Sequence, residues 1–323
     1  MRNSALLILL LLATLTGGRA WASSCTVSAP GGTSLGSLSS LSLSSGGSTS
    51  EISSGFVCTG SLLSIIYTQT VNAQIQTISA LTDPSGDSLP IQLCDSSGCS
   101  TPYTAGQTIN WSATSLIGLL NLFNGIDGTL PLYIRIPPGS YNVSAGVYTG
   151  SVTIGWTWSV CPGIGLLGIC IGLDDQTTPV PETVVLTFTV TADCQITAPN
   201  VVFAPSPLVA AFADVHQSLT VGCTKGSTYT VGISDGNNAD STSRAMSNGS
   251  GSLLRYEIYQ QSTTNRWGST GIQRRANATA DVNPNTLDGL TQQQFAYTAH
   301  ILTTQTTPAA GSYSDNLVVD VQF

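Results

Sequence analysis

Gly32-Thr33-Ser34-Leu35-Gly36 has the glycine–serine–glycine spacing that presents a nucleophilic serine, and aspartates and two histidines, His216 and His300, follow it along the chain. Such a serine is activated only where a strand runs into a sharp turn and then a helix, which exposes the oxygen and supplies an oxyanion hole. This stretch lies in Ser/Gly-rich sequence with no helical periodicity after it, so the match is compositional. Cys94-Asp-Ser-Ser-Gly-Cys99 is too wide for a C-x-x-C redox pair and reads as a stapled loop. Asp83 with Asp87, and Asp235 with Asp240, offer carboxylates to calcium, but Asp among Gly and Asn usually caps turns. Neither the cysteines nor the histidines have zinc-finger spacing. Asn110, Asn142, Asn248 and Asn277 head formal glycosylation sequons, meaningful only in a glycosylating host. No catalytic residue, cofactor or metal is expected.

What the cysteines do indicate is export. Arg2, an apolar run from Ala5 to Leu15 and the small-x-small Ala20-Trp21-Ala22 make residues 1–22 a signal peptide, with the mature chain starting at Ser23. The run is too short to span a bilayer, which takes about 20 residues. All eight cysteines follow it, an even count that reads as disulfides in an oxidising compartment. The count alone leaves their connectivity open. Charged residues are 8% of the chain, with one lysine, Lys225. Without Arg2 and Arg19 there remain seven basic and seventeen acidic side chains. Such a surface cannot track phosphates, so nucleic acid is not a partner.

The elements that position these residues are set by an internal repeat. A shift of 165 carries Leu132-Tyr-Ile-Arg-Ile136 onto Tyr297-Thr-Ala-His-Ile301, Ala145-Gly-Val-Tyr148 onto Ala310-Gly-Ser-Tyr313, and Cys58 onto Cys223. Cys25 matches Cys194 with a few residues of slippage. The repeat points to Cys25–Cys58 and Cys194–Cys223, each closing a loop that stabilises by about 4 kcal/mol on a chain-entropy model. Cys94–Cys99 and Cys161–Cys170 then remain as local staples. Apolar residues alternate with a period of two, as in Leu317, Val319, Val321 and Phe323, and Gly, Pro, Asn and Asp separate the runs. The fold class is therefore all-β: two tandem immunoglobulin-like sandwiches, residues 23–190 and 191–323. One short helix is allowed, over 115–123.

The repeats are unequal. The first continues through residues 159–183 into a further strand, Glu182 to Val190, while the second stops at Phe323, the counterpart of Trp158. The second sandwich is thus expected to lack its final strand and to leave the row Leu317, Val319, Val321 and Phe323 uncovered. An edge in that state is a template for another chain. Apolar residues also stand where loops are expected. Leu116, Ile117, Leu119, Leu120, Leu122 and Phe123 fall opposite the polar 281–288 of the second repeat. Ile164, Leu166, Leu167, Ile169 and Ile171, continuing to Leu173, have no counterpart; four glycines and the flanking cysteines suggest a loop tip rather than a strand. Exposed apolar loops of this size mark contact sites.

Cys194-Gln-Ile-Thr-Ala, Val221-Gly-Cys223 and the ending from Ala310 through Tyr313, Asp315 and Asn316 to Phe323 resemble the spore coat protein U family, the pilins of archaic chaperone–usher pili. The resemblance covers essentially the whole mature chain. It implies passage through the periplasm with a pilus chaperone, an outer-membrane usher, and a neighbouring pilin that donates the missing strand to the row of Leu317, Val319, Val321 and Phe323. Only Ser23 and Ser24 precede Cys25, too little to donate in turn. That implies a fibre end: a pilus-tip adhesin whose first domain attaches the cell to an abiotic or host surface and supports biofilm formation. The alternative is a structural fibre or coat subunit with no receptor of its own.

Overall fold

A computed structural model describes residues 25–28, 31–58, 67–113, 130–161, 164–166, 169–240, 242–261 and 264–323. The chain is mostly β and builds two β-sheet bodies. The first contains β1 (Cys25–Val27), β2 (Thr33–Ser39), helix α1 (Ser40–Gly46), β3 (Ser48–Ser53), β4 (Phe56–Cys58), β5 (Gln69–Ile78), β6 (Leu81–Thr82), β7 (Ser88–Leu89), β8 (Gln92–Cys94), β9 (Thr108–Ala113), β10 (Pro131–Ile136), β11 (Gly146–Val160), β12 (Ile164–Leu166), β13 (Ile169–Ile171) and β14 (Asp174–Thr191). The second contains β15 (Cys194–Thr197), β16 (Val215–Cys223), β17 (Thr230–Ile233), β18 (Arg244–Ser247), β19 (Leu253–Gln260), β20 (Arg275–Ala276), β21 (Gln293–Ile301) and β22 (Val319–Gln322).

In the first body one sheet runs β2-β14-β11-β5-β9, with β6 and β7 alongside, and a second runs β3-β10-β8. Alternation decides which side chains go inside. Val152, Ile154, Trp156 and Trp158 of β11 and Val184, Leu186, Phe188 and Val190 of β14 are all buried in one core with Leu132 and Ile134 of β10. Thr183, Val185 and Thr187 take the other face of β14. Phe56 stacks on Trp156 with ring centroids 4.9 Å apart, and Trp111 stacks on the other neighbour side at 5.9 Å.

The second body repeats this plan. Its larger sheet contains β16-β21-β19, the counterparts of β3-β10-β8 in the same order. Each body opens with a cross-strand cystine, Cys25 opposite Cys58 and Cys194 opposite Cys223. The remaining bridges are Cys94–Cys99 and Cys161–Cys170. Ile154 and Trp156 of β11 pair with Ile75 and Ala73, and their counterparts Val319 and Val321 of β22 pair with Ile233 and Val231. The difference lies beyond them. β11 has β14 on its free side, whereas β22 ends its sheet, β20-β17-β22, among the described residues.

Three local features depart from the sequence reading. Residues 115–123 lie outside the described residues, but α1 forms where no helix was expected. Ser39 caps it by accepting from the Ser42 amide, Leu43 is its buried anchor, and Gly47 at φ 64° ends it where a Cβ would meet the Ile136 carbonyl. The final strand of the first body is also longer, starting at Asp174, and it pairs in parallel with β2 as well as antiparallel with β11. The segment after Cys161, expected as a loop tip, is a short antiparallel hairpin, β12–β13, pairing Ile164 with Ile171 and Leu166 with Ile169. Alternating β-branched residues and the closing Cys161–Cys170 bridge favour that ladder despite the glycines.

Only Ala192 and Asp193 separate β14 from β15, and both bodies grip the joint. Asp193 accepts from the Ser39 hydroxyl (2.7 Å), and Ser40 meets Thr224 at 3.1 Å. Lys225 of the second body pairs with Asp87 of the first at 2.5 Å, and Ser144 donates to the same carboxylate. These donors, Lys225 foremost, hold the Asp87 carboxyl down at about 2. Among the described residues no helix is long and apolar enough to cross a membrane.

Candidate functional site

The second body contains a groove of about 390 Å³. One wall is the segment 198–203, contributing Val201 and Phe203; the other is 313–319, contributing Tyr313, Leu317 and Val319. Leu219, Ile233, Met246, Ile258 and Tyr297 lie between them. The lining is apolar because these side chains belong to the edge of the core, where Val201, Phe203, Tyr313, Leu317, Val319 and Val321 pack only partly buried. One end is polar. The Asp315 carboxylate accepts from the Tyr256 hydroxyl (2.8 Å) and from the amides of Asn237 and Asn316, both 2.9 Å. Burial, then this carboxylate, pushes the Tyr256 phenol far above its usual range.

The repeat relates both walls to the first body. By the 165-residue shift 313–319 are the counterparts of 148–154 in β11, while 198–203 lie after the opening cysteine, where the repeat slips, and follow β15 as β2 follows β1. In the first body β2 and β11 flank β14. One wall of the groove is thus the counterpart of the strand that pairs with β14 in the first body. Val152, Ile154 and Trp156 are fully buried there, while Leu317, Val319 and Val321 are half-buried and Phe323 is 63% exposed. Of the row expected to meet a partner strand, Leu317 and Val319 line the groove, and Phe323 lies just past the end of β22.

In the first body, β12–β13 connects β11 to β14 as a separate two-stranded sheet. Ile169 and Ile171, two apart on one strand face, are each 71% exposed, and Leu173 is also exposed. Of the remaining apolar loop residues, Leu116, Ile117, Leu119, Leu120, Leu122, Phe123 and Leu167 lie outside the described residues, and for Ile164 and Leu166 the backbone alone is described. Two carboxylates of β14 hold indoles of β11. Asp174 accepts from the Trp158 indole and the Cys25 amide, both at 2.9 Å, and Glu182 accepts from the Trp156 indole at 2.9 Å.

The residues weighed for chemistry are dispersed. Ser34 is the second residue of β2, exposed and paired with Thr187, not on an elbow. His300 pairs with Asp214 (2.6 Å) and His216 with Thr298 (2.9 Å), both in the second body. Asp83 caps its own turn, Asp235 pairs with Arg266 (2.7 Å) and Asp240 with Arg255. Among the described residues no His/Cys/Asp/Glu cluster is arranged to hold a metal.

A family model described as the Spore Coat Protein U domain matches residues 11–155 and again 181–320. The chain belongs to that family. It carries two copies of the Spore Coat Protein U domain, and 156–180, which includes the exposed hairpin, falls between them. Among solved structures, it matches one described as the chaperone–tip adhesion subunit pre-assembly complex CsuC–CsuE, from archaic chaperone–usher Csu pili of Acinetobacter baumannii. The identity is 30%, with 93% of this chain and 100% of that chain covered and a TM-score of 0.69. The adhesin CfaE of enterotoxigenic Escherichia coli matches at 12% identity, covering 92% of this chain and 93% of that one. Its TM-score of 0.31 carries no argument. No curated protein sequence matches the chain. With this membership and a pilus subunit as its structural match, the protein is not an enzyme.

Proposed function

We propose that the protein is the tip adhesin of a chaperone–usher pilus. Its second domain lacks a final strand and accepts one, first from a periplasmic chaperone and then, at the outer-membrane usher, from the neighbouring pilin. The carrying observation is the groove between 198–203 and 313–319, whose second wall is the counterpart of the strand that pairs with β14 in the first domain. The solved relative, a tip adhesion subunit in complex with its chaperone, supports the same assignment. The domain limits 23–190 and 191–323 follow the joint at Ala192 and Asp193. Attachment falls to the first domain, through Ile169, Ile171 and Leu173 of the hairpin together with the apolar residues of 116–123 and 164–167.

The target is apolar rather than anionic. Residues 23–190 contain a single basic side chain, Arg135, so ion pairing to a phosphate- or carboxylate-rich surface has little to work with. Each isoleucine buried against a surface contributes roughly 1.5–3 kcal/mol, and many pili multiply the effect. Such attachment resists salt, because screening weakens ion pairs and leaves apolar contacts intact.

The test has two arms. Expressed in the periplasm without its chaperone, the full chain should aggregate or be degraded, and co-expression should yield a soluble complex; a stable monomer without any partner sinks the acceptor reading. The double variant Ile169→Ser/Ile171→Ser should assemble into normal pili that no longer hold to polystyrene in 1 M NaCl. Normal attachment by that variant would reduce the hairpin to a structural ornament and favour a fibre subunit without a receptor.

A further inference from the structure

We infer that the joint between the two bodies is a releasable lock. Lys225 of the second body, seated on Asp87 and Ser144 of the first, holds the bodies in one orientation, and without that contact they swing on Ala192-Asp193. The inference concerns the joint alone and does not rest on the acceptor reading above.

The tether and the cores show why a lock is needed. Two residues span at most roughly 7 Å, so the bodies must touch. Their backbone dihedrals are still soft, and the tether by itself leaves the bodies free to rotate. The two hydrophobic cores share no residue, so no apolar layer joins the bodies. Domains that meet through polar groups alone move relative to one another by default.

The contacts that oppose this motion come from separate parts of the first body and converge on one turn of the second. Ser39 donates to Asp193 in the tether itself (2.7 Å), and Ser40, at the start of α1, meets Thr224 at 3.1 Å. This pair of contacts is the pivot. The next residue, Lys225, reaches a different part of the first body, with Asp87 just before β7 and Ser144 just before β11. Its ammonium pairs with Asp87 at 2.5 Å, and its backbone bridges that of Ser144. A second point of contact removes the rotation that the pivot leaves open.

The seat is assembled within the first body. Ser144 donates to the Asp87 carboxylate through its amide (2.9 Å) and its hydroxyl (2.6 Å), and the Asp87 amide donates to Asp83 (2.8 Å). The Asp87 side chain is 12% exposed, which leaves one approach, and the chain's single lysine takes it. The turn carrying Lys225 is fixed in its own body, since the Gly226 amide donates to the Leu287 carbonyl at 2.8 Å. Gly289, at φ 75°, closes the contact: a Cβ there would collide with Asn142 of the first body and with Lys225. Each bond exchanges with water, so the lock can open while both cores stay folded. Engaged, it passes load between the bodies through side chains and a backbone bridge as well as through the tether.

The experiment measures orientation in the full chain, in the soluble form in which it is isolated, free or chaperone-bound. Spin labels are attached through ketone-bearing residues replacing Thr149 of the first body and Ser250 of the second, both exposed, which leaves the disulfides untouched. Electron–electron resonance then gives the distribution of distances between them. Wild type should show one narrow distribution at low salt, and Lys225→Met should at least double its width while both bodies keep their cooperative melting. Salt of about 1 M, where the screening length falls to about 3 Å, should broaden the wild type and leave Lys225→Met unchanged. A wild type already as broad as the variant, or a variant as narrow as the wild type, overturns the lock. Should Lys225→Met fail to fold, the wild-type salt series decides, and a width indifferent to salt overturns it.

Discussion

Val319→Asp separates an open groove from a filled one. In the free chain Val319 is half-buried on the groove wall, so an aspartate there keeps one side in water and forfeits part of a valine's burial, about 1 kcal/mol. Once a strand lies over it, the position becomes that of Ile154, which is fully buried. A carboxylate sealed there must take up a proton. Doing so at pH 7 from an ordinary pKa of about 3.9 costs about 4 kcal/mol, or about a thousandfold in affinity. The assay is anisotropy of a labelled peptide carrying residues 183–191, with urea unfolding of the free chain measured alongside. Val318→Asp is the control, since Val318 points away from the groove and is 63% exposed. Free-chain stability should fall little in either variant, and strand binding should fail only in Val319→Asp. Equal binding by wild type and Val319→Asp, or equal loss in the Val318→Asp control, would refute the groove as the acceptor.

Three further outcomes follow from the structure. Asp87 has a folded pKa near 2, below its unfolded value, so the Lys225 pair stabilises above about pH 4 and fades as pH falls through about 2. Asp87→Asn should remove that acid dependence, cost about 1 kcal/mol at neutral pH, and let an amine-reactive ester label Lys225 faster, read by mass spectrometry. Arg274→Ala removes a nearly buried guanidinium that bridges Thr230, Ser269 and Asp320, and should cost about 3 kcal/mol in urea unfolding of the second domain. Ser34→Ala should change neither folding nor attachment, and a serine-reactive probe should leave Ser34 unlabelled.

The repeat was legible because it is written in period-two alternation that both bodies share, from Leu132-Tyr-Ile-Arg-Ile136 to Val319 and Val321. Where alternation fails, so did the reading. Leu35, Leu38, Leu41 and Leu43 fit neither a strand nor a helix period in their serine-rich setting, which concealed both β2 and α1. Glycines at 165, 168 and 172 made the β12–β13 hairpin look like a loop, since propensity weighs each residue and cannot see a cross-strand partner. The alternation of Leu317, Val319 and Val321 could be read directly. The opposite wall could not, because residues 198–203 form no strand and their role comes only from what lies across the groove. The arginines of the second domain were passed over entirely, and their spacing carries no motif.

Those arginines explain how an open groove keeps its shape. Residues 23–190 hold one arginine and the second domain holds five. In the first domain the sheet containing β5 and β11 is fastened by β14, which adds a ladder on one side and four buried side chains beneath. The second domain's β20-β17-β22 sheet has no such strand among the described residues, and guanidinium groups hold it by its own carbonyls. Arg244 donates to Ile233, Ser234 and Trp267, and Arg274 to Thr230, Ser269 and Asp320. Arg275 binds the Ala296 carbonyl while lying over Trp267 at 5.1 Å. A five-donor planar fork suits this task better than an ammonium, because one side chain satisfies several fixed acceptors at once. Charge-assisted bonds of this kind need no apolar layer above them, so they fasten β17 and β22 without one. On the acceptor proposal, an incoming strand would lose its own conformational freedom without also having to order the walls, and that preorganisation would let a short segment bind firmly.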